Sequence, residues 1–237
     1  MTSILMVLTG ARHWTLRDGT EHPTGFWAEE FVAPHQVLTG AGVEVVVATP
    51  GGVRPLADEL SLTPEMNGGS MAAVAELRRY LAESDGVLSA PLRIEDLDAA
   101  DYDAIFVPGG HGPMQDLATS LAIGSLLTTF LDDASKMVVS VCHGPASFLT
   151  AQRDDGRWAF DGRRLSAFTN EEETQVGFAA NAPWLLEDRL RAAGARFEAG
   201  PAWGSHVVVD GNLITGQNPG SARDAATTLL AALGVRT

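Results

Sequence analysis

Residues 137–145 read Met137-Val138-Val139-Ser140-Val141-Cys142-His143-Gly144-Pro145. An apolar run followed at once by Cys, His, Gly and Pro predicts a buried strand that turns sharply into a helix. Such a turn projects its apical residue away from the sheet, and the free N–H groups of the following helix favour a thiolate there. Cys142 is the only cysteine in the chain, so it is the candidate nucleophile. The alternative is a buried structural cysteine.

A glycine-rich stretch lies upstream, Val107-Pro108-Gly109-Gly110-His111-Gly112-Pro113. It follows an apolar segment, which predicts a tight loop at the carboxyl end of a strand, the edge where open α/β sheets bind ligands. Gly109 and Gly110 would let the backbone approach a reacting atom, and the N–H groups of Gly110 and His143 are a candidate oxyanion hole. His111 either contacts substrate or is a solvated turn residue. A glycine pair needed only for chain reversal is the alternative interpretation.

Around these stretches, short β-branched runs alternate with amphipathic segments, which predicts βα units around a mostly parallel sheet. We expect one domain over residues 1–237, with the segments 49–69 and 154–163 as insertions or lids. Pro34 should kink the first helix. The predicted strands are 4–8, 44–48, 104–107, 137–141 and 164–168, the predicted helices are 25–38, 70–81, 119–133, 183–193 and 221–233, and 207–214 is a predicted hairpin.

The composition is that of an ordinary globular domain, because 45% of the 237 residues are hydrophobic and 19% are charged. One cysteine cannot form an internal disulfide, which agrees with a reducing compartment. The sequence has no recognisable signal peptide and no apolar run of about 20 residues, so we expect a cytoplasmic protein without a membrane partner. A formal charge of −14 with only 16 Lys and Arg residues argues against nucleic acid as a stable partner.

Neither a cofactor nor a metal is expected. The glycines at 109, 110 and 112 do not fit the G-x-G-x-x-G fingerprint of phosphate-binding loops. The Cys and His residues lack the spacing of metal ligands, so the sequence does not predict a zinc site.

Four stretches of the chain resemble the ThiJ/PfpI superfamily, whose fold is similar to class I glutamine amidotransferase domains. They are TGFWAEE at 24–30, VPGGHGPM at 107–114, VCHGP at 141–145 and LITGQNP at 213–219. Within the superfamily, the chain is most similar to the heat-shock chaperone and glyoxalase III branch. The resemblance implies a flavodoxin-like three-layer α/β sandwich with a mostly parallel central sheet, a nucleophile elbow and small insertions.

The same resemblance implies that Glu30 lies beside Cys142. Adjacent residues of a helix point about a quarter turn apart, so only one of Glu29 and Glu30 can enter the site. A carboxyl group near a thiolate should have a raised pKa, and protonated Glu30 could then donate a hydrogen bond to sulfur.

His143 is implied as the base, oriented by an acid from residues 170–173. We favour Glu173 as this acid, with Glu172 as the alternative. Three consecutive glutamates at the start of a helix are also explained by the helix dipole. Because Cys142 lies outside helical geometry, His143 can turn alongside it despite being the next residue.

The implied activity is that of a cofactor-independent enzyme on small reactive carbonyls, similar to glyoxalase III, a D-lactate dehydratase-like lyase that converts methylglyoxal to lactate without glutathione. Cys142 would attack the aldehyde and His143 would move a proton between adjacent carbons. Deglycase activity on glycated protein or nucleotides would use related chemistry. The alternatives are a peptidase or amidase of the same superfamily, a stress-response holdase chaperone, and a redox sensor in which Cys142 becomes a sulfinic acid. We expect a homodimer.

Glutamine amidotransferase activity itself is not expected. Its triad needs a late histidine closely followed by glutamate. The only histidine after His143 is His206, and Val207 and Val208 follow it. The resemblance in fold therefore does not carry glutaminase activity with it.

Overall fold

A seven-stranded sheet forms the centre of the computed structural model, which describes residues 2–235. Short apolar strands alternate with helices along the chain, as the sequence pattern predicts. The strands are β1 Ser3–Val7, β2 His13–Thr15, β3 Glu21–Pro23, β4 Glu44–Thr49, β5 Leu92–Arg93, β6 Ala104–Val107, β7 Met137–Val141, β8 Arg164–Leu165, β9 Arg196–Phe197, β10 Val207–Asp210 and β11 Leu213–Gly216.

The sheet has the strand order β10-β11-β7-β6-β1-β4-β5. Its neighbours pair in parallel, except that β10 and β11 form an antiparallel hairpin. Since the central strands are parallel, the carboxyl ends of β6 and β7 lie side by side at one edge. That edge carries both the glycine loop and the cysteine turn.

Helices cover both faces of the sheet and complete three layers. The helices are α1 Ala28–Gly40, α2 Met71–Glu83, α3 Asp85–Ser89, α4 Gly112–Gln115, α5 Leu121–Asp132, α6 Asn170–Gln175, α7 Leu186–Ala193 and α8 Ala222–Ala232. Successive side chains of a strand point to opposite faces. Accordingly, Leu5 and Val7 of β1 pack in the cluster that contains α5 and α7, while Ile4 and Met6 pack against α1, α2 and α8.

The predicted strands 4–8, 44–48, 104–107 and 137–141 and the hairpin are confirmed to within two residues, and the five predicted helices to within three. The first helix begins at Ala28 rather than at Gly25, and it continues through Pro34 to Gly40. Among residues 2–235, no helix has both the length and the apolar character needed to cross a bilayer.

The segment after the cysteine turn is a 3-10 helix, Gly144–Thr150, and the expectation of a regular helix there is only partly met. Its hydroxyl groups explain the tighter winding. Ser147 donates to the Gly144 carbonyl at 2.7 Å, and Thr150 donates to the Ser147 carbonyl at 3.1 Å. Side-chain bonds of this kind compete with the α-helical ladder.

The predicted strand 164–168 is wrong beyond its first two residues. Only Arg164–Leu165 pairs, with β9 and outside the main sheet. The Ser166 N–H donates to the Thr215 hydroxyl at 2.8 Å, and the Phe168 N–H donates to the Cys142 carbonyl at 2.9 Å. The segment is therefore extended, but it supports the cysteine turn instead of joining a ladder.

The two segments named as insertions occupy different places. Residues 49–69 contain three short 3-10 turns, and Asp58 in this segment accepts a hydrogen bond from the Thr24 hydroxyl at 2.7 Å. Residues 154–163 pack on the 3-10 helix after the cysteine turn, where Phe160 stacks on Phe148 at 4.0 Å. Leu60 of the first segment also lines the space beside Cys142, whereas no residue of 154–163 does.

Candidate active site

Cys142 occupies a strained turn at the carboxyl end of β7. Its φ of 58° lies in the left-handed region, which costs a residue with a side chain about 1–3 kcal/mol. Two backbone bonds hold the turn, because the Cys142 N–H donates to the Gly216 carbonyl at 2.9 Å and the Cys142 carbonyl accepts from Phe168. The side chain is only 2% exposed. The turn therefore fixes the thiol in a closed space above the sheet.

His143 lies between the thiol and Glu173. Its Nδ1 is 3.3 Å from the Cys142 sulfur, and its Nε2 is 2.7 Å from Glu173 Oε2. Burial opposes ionisation of Glu173, but the adjacent His143 and His111 outweigh it and hold the pKa of this carboxyl far below its usual range. An ionised carboxylate only accepts hydrogen bonds, so His143 carries its proton on Nε2 and presents a free Nδ1 lone pair to sulfur.

The imidazole of His143 is neutral at rest. Burial lowers its pKa, and the neighbouring His111 lowers it further, although Glu173 acts in the opposite direction. A neutral imidazole with a free nitrogen beside a thiol is ready to accept the thiol proton. The glutamate that contacts His143 is Glu173 and not Glu172. Glu173 is also the residue favoured from the sequence.

Glu30 approaches Cys142 from α1 and is fully buried. Its Oε2 accepts a hydrogen bond from the Gly109 N–H at 2.6 Å, and its Oε1 has no partner among the described residues. Burial raises the pKa of Glu30 to about 8, although hydrogen bonds from Cys142 and Gly109 act against the rise. Glu30 is therefore mostly protonated near neutral pH, and its O–H is a donor next to sulfur.

The thiol of Cys142 differs from the sequence expectation of a favoured thiolate. Burial raises its pKa well above the ordinary value, and the negative charge that Glu30 carries when ionised raises it further. The Gly110 N–H acts in the opposite direction. Helix and loop amides are present as expected, but desolvation outweighs them because the sulfur lies in a closed space.

Close contacts with neighbouring atoms require glycine at both position 109 and position 110. A Cβ at Gly109 would lie 2.5 Å from the His143 nitrogen and 2.9 Å from the Cys142 Cβ. Gly110 has a φ of 88°, and a Cβ there would lie 2.5 Å from the Gly25 carbonyl oxygen. Neither Gly110 nor His143 donates its N–H to another backbone carbonyl within residues 2–235. The Gly110 N–H interacts with the Cys142 sulfur instead, so both amides are placed to stabilise an oxyanion that forms beside it.

His111 is buried and belongs to the same network, so it is not a solvated turn residue. Its Nε2 is 2.8 Å from Glu173 Oε1, and its ring stacks on Trp14 at 4.7 Å. Glu173 thus joins two histidines, and the ligand atoms of the three residues lie within 4.8 Å of one another. A divalent cation held between Glu173 and the two Nε2 atoms would replace the protons on those atoms, since each nitrogen needs its lone pair to coordinate a metal.

Glu172 is buried beside Glu173, but its carboxylate binds the start of α6 and the Trp203 loop and not His143 or His111. Its Oε2 accepts from the N–H and hydroxyl of Thr169, which forms a capping box at the start of α6. Its Oε1 accepts from the Trp203 N–H, from Gln217 and from Asn218 at 2.8–3.1 Å. The Thr-x-x-Glu spacing is a sequence signal that would have assigned Glu172 to the helix cap. Sequence reasoning missed it.

The sulfur faces a closed chamber of about 10 Å³, which is room for about one water molecule. A wider cavity of about 650 Å³ opens immediately outside it. A larger cavity of about 890 Å³, beside residues 56–63, does not reach Cys142. The chamber is lined by Trp27, Leu60, Gly110, His111, Cys142, His143, Phe168, Val176, Trp203 and Pro219.

Five of these lining residues also line the outer cavity, which we name the vestibule: Trp27, Leu60, Val176, Trp203 and Pro219. Because these five residues line both spaces, they surround the boundary between them, and we name them the wall. Sequence reasoning did not identify this wall, because its members come from separate segments of the chain and no local pattern links them.

The chain is similar to known proteins in both sequence and structure. The sequence pattern of the DJ-1/PfpI family matches residues 23–232. Glutamine amidotransferase-like class 1 domain-containing protein 1 of Bos taurus is 31% identical over 199 residues, which is 84% of each chain. Protein/nucleic acid deglycase HchA of Pseudomonas aeruginosa is 30% identical and covers 97% of this chain and 81% of its own. The structure of glyoxalase III from Candida albicans superposes with a TM-score of 0.82 at 26% identity, covering 98% of this chain and 97% of its own.

Proposed function

The chain belongs to the DJ-1/PfpI family, and from this premise we propose that it is a cysteine-dependent, cofactor-independent enzyme that converts methylglyoxal and similar small dicarbonyls to 2-hydroxy acids such as lactate. The observation that carries the proposal is the series Cys142–His143–Glu173, in which a free imidazole nitrogen faces the thiol. Relatives named glyoxalase 3 and deglycase HchA support an enzyme that acts on carbonyl compounds.

The first step is addition of sulfur to the aldehyde carbon. His143 Nδ1 takes the thiol proton of Cys142 as the S–C bond forms, and the carbonyl oxygen becomes the oxyanion of a hemithioacetal. The N–H groups of Gly110 and His143 stabilise this oxyanion. Because burial raises the pKa of the Cys142 thiol, proton transfer accompanies the attack and no thiolate accumulates beforehand.

The second step is an internal redox exchange that needs no external oxidant. His143 first gives the thiol proton to the hemithioacetal oxygen and is neutral again. It then moves the proton of the former aldehyde carbon to the neighbouring carbon through an enediolate, which turns the hemithioacetal into a thioester of lactate. Water then attacks the thioester carbonyl, the C–S bond breaks, and Cys142 regains its proton. The sum is methylglyoxal plus water giving lactate and one proton.

Glu30 limits the negative charge beside sulfur. Its pKa of about 8 keeps it protonated near neutral pH, so it can donate a hydrogen bond to the sulfur when Cys142 loses its proton. If Glu30 were ionised, two negative charges would share one buried space, which is unfavourable. Glu30 is therefore a hydrogen-bond donor in the reaction, and His143 is the base.

The vestibule distinguishes between possible substrates. Among the described residues, its lining carries the carboxylates of Glu29 and Glu65 and no Lys or Arg. Phosphate groups of glycated nucleotides would meet like charge there, whereas neutral dicarbonyls and cationic adducts of lysine or arginine would not. The second candidate activity is therefore a deglycase acting on glycated side chains of proteins, using the same thiol.

We also infer a homodimer in the cytoplasm, as expected from the sequence. Light scattering of the purified protein measures the first inference directly, and a monomeric mass at micromolar concentration would contradict it. Fractionation of cells that express the protein measures the second.

Lactate formation from methylglyoxal without glutathione tests the proposed function. We expect turnover by the wild type, and a loss of at least about a thousandfold in Cys142→Ala. The matched control is His13→Ala, which removes an exposed histidine outside the site. Lactate formation by Cys142→Ala at the wild-type rate, or no turnover by a wild type with a reduced thiol, would contradict the proposal.

A further inference from the structure

The Cys142 chamber must open before any substrate reaches the sulfur. The chamber holds about one water molecule, and methylglyoxal is several times larger than water. The vestibule, with about 650 Å³, has ample space for such a molecule. At least one residue of the wall between the two spaces therefore moves during substrate entry.

Trp203 differs from the other residues of this wall. Trp203 is 40% exposed, whereas Trp27 is 7% exposed. Trp203 lies in the irregular loop between β9 and β10, while Leu60 belongs to a 3-10 turn and Val176 ends α6. We expect a partly exposed aromatic side chain on a loop to be the element of the wall that moves at the lowest cost.

The backbone of Trp203 is fixed even though its side chain is exposed. The residue has a φ of 63°, in the left-handed region. Its N–H donates to Glu172 Oε1 at 2.8 Å, and the same oxygen accepts from Gln217 and Asn218. Motion of the whole loop would break this buried network. Rotation of the indole about its side-chain torsions leaves it intact.

Two contacts hold the indole over the chamber. Its Nε1 donates to Gln175 Oε1 at 2.5 Å, and its ring meets Phe168 edge-on at 5.7 Å. Gln175 is exposed, so water can replace Trp203 as its partner, and the net strength of such a bond is about 0.5–1.5 kcal/mol. The hydrogen bond to Gln175 can therefore be exchanged for one to water at small cost.

We propose that Trp203 is the gate of the Cys142 chamber, that Gln175 is its latch, and that the gate restricts the enzyme to small aldehydes. With the latch closed, the indole keeps solvent away from the sulfur and from the hemithioacetal. A small dicarbonyl needs only a brief rotation of the indole, whereas an adduct on a folded protein needs the gate held open. The size limit rests on the proposed function, but the gate itself does not.

Alkylation of Cys142 tests the gate without any substrate, because the chain has no other cysteine. The rate constants are measured for iodoacetamide, which is small, and for fluorescein maleimide, which is bulky. Both reagents react with the thiolate, so their ratio cancels any change in the pKa of the thiol and reports access alone. The variants are Trp203→Ala, Trp203→Phe and Gln175→Met. The matched control is Trp184→Ala, which removes a tryptophan that packs on Arg189 outside the wall.

We expect the ratio of bulky to small reagent to rise at least about tenfold in Trp203→Ala, and about two- to tenfold in Gln175→Met through loss of one hydrogen bond. Trp203→Phe should fall between the wild type and Trp203→Ala, and Trp184→Ala should match the wild type. A ratio within twofold of wild type in folded Trp203→Ala, or an equal rise in Trp184→Ala, would overturn the gate.

Turnover then tests the size limit. For Trp203→Ala we expect activity with phenylglyoxal to increase relative to methylglyoxal by at least about fivefold. An unchanged preference, together with an increased alkylation ratio, would overturn the size limit and leave the gate standing. If the wild type forms no 2-hydroxy acid from either compound, the proposed function fails, and the alkylation ratios still decide the gate.

Discussion

Two residues other than glycine adopt the left-handed backbone conformation within residues 2–235, Cys142 and Trp203, and both line the same chamber. Cys142 is held by the buried strand β11 and by the segment that carries Phe168. Trp203 is held mainly by one carboxylate, that of Glu172. Cys142, which carries the chemistry, is therefore buried and rigid. Trp203, which controls access, is exposed and is held by contacts to nearby residues only.

We expect the largest effects from substitution of Glu173 and Glu172, and we expect the two substitutions to change different properties. Glu173→Gln leaves an amide that must donate to one of its histidine partners, which disturbs the proton arrangement of His143. We expect kcat for lactate formation to fall about a hundred- to ten thousandfold, with the free energy of unfolding changed much less. Steady-state kinetics and urea denaturation measure the two quantities.

Glu172→Gln is the matched neighbour, and its expected result is the reverse. Its carboxylate accepts five hydrogen bonds around α6 and the Trp203 loop. Replacing one oxygen by an NH₂ group leaves donors unpaired, so we expect a loss of about 2–4 kcal/mol in stability. The folded variant should keep kcat within about fivefold of wild type. Equal losses of kcat in the two variants would remove the distinction between support for chemistry and support for the loop.

We expect a smaller effect from substitution of Glu30, whose carboxyl group lies beside Cys142. This effect is a change in how stability depends on pH. Its folded pKa of about 8 exceeds the ordinary value of 4.5, so between these pH values the folded protein binds more protons at this site than the unfolded chain. Stability from this group is therefore present below pH 4.5 and is lost as pH rises towards 8. We expect Glu30→Gln to exceed wild type in stability by about 2–5 kcal/mol at pH 8 and to match it at pH 4.

Urea denaturation at pH 4, 6 and 8 measures this difference, with Glu65→Gln on the vestibule as the control for the loss of one carboxylate. Activity should follow the same titration. We expect kcat of the wild type to decline at alkaline pH with an apparent pKa near that of Glu30, about 8. This decline should be absent in Glu30→Gln, because the variant has no proton to lose. A stability difference that does not depend on pH would contradict a protonated Glu30.

The smallest effects test the backbone strain at both positions. At a left-handed position, glycine is favoured over alanine by about 1 kcal/mol because it has no Cβ. We expect Cys142→Gly to be more stable than Cys142→Ala by this amount, and Trp203→Gly to be more stable than Trp203→Ala. Denaturation of the four variants measures the two differences. An advantage of glycine at one position only would show that the two turns are not equally strained.

The cysteine side of the chamber could be predicted because its signals are local. An apolar strand followed by Cys142 and His143, and a glycine pair at 109–110, mark the carboxyl ends of two neighbouring parallel strands. Glu173 could be favoured over Glu172 only by resemblance, although the capping box begun by Thr169 contained the distinction.

The wall between the chamber and the vestibule could not be predicted, because its residues come together only through tertiary packing. Nothing in the sequence around Trp203 indicates a positive φ or a position above Cys142. The thiolate expected from the sequence is wrong for a related reason, because burial raises the pKa of Cys142. Helix amides can be read from a sequence, whereas the degree of burial that outweighs them depends on how the wall closes over the sulfur.

The most direct test of the central claim is detection of a covalent intermediate on Cys142 during turnover. Wild-type protein and Glu173→Gln are mixed with methylglyoxal, quenched in acid within milliseconds to minutes, and analysed by intact mass and peptide mapping. We expect the mass of one methylglyoxal on the Cys142 peptide, transient in the wild type, longer-lived in Glu173→Gln and absent in Cys142→Ala. Lactate production with no adduct on Cys142 at any time would contradict the account.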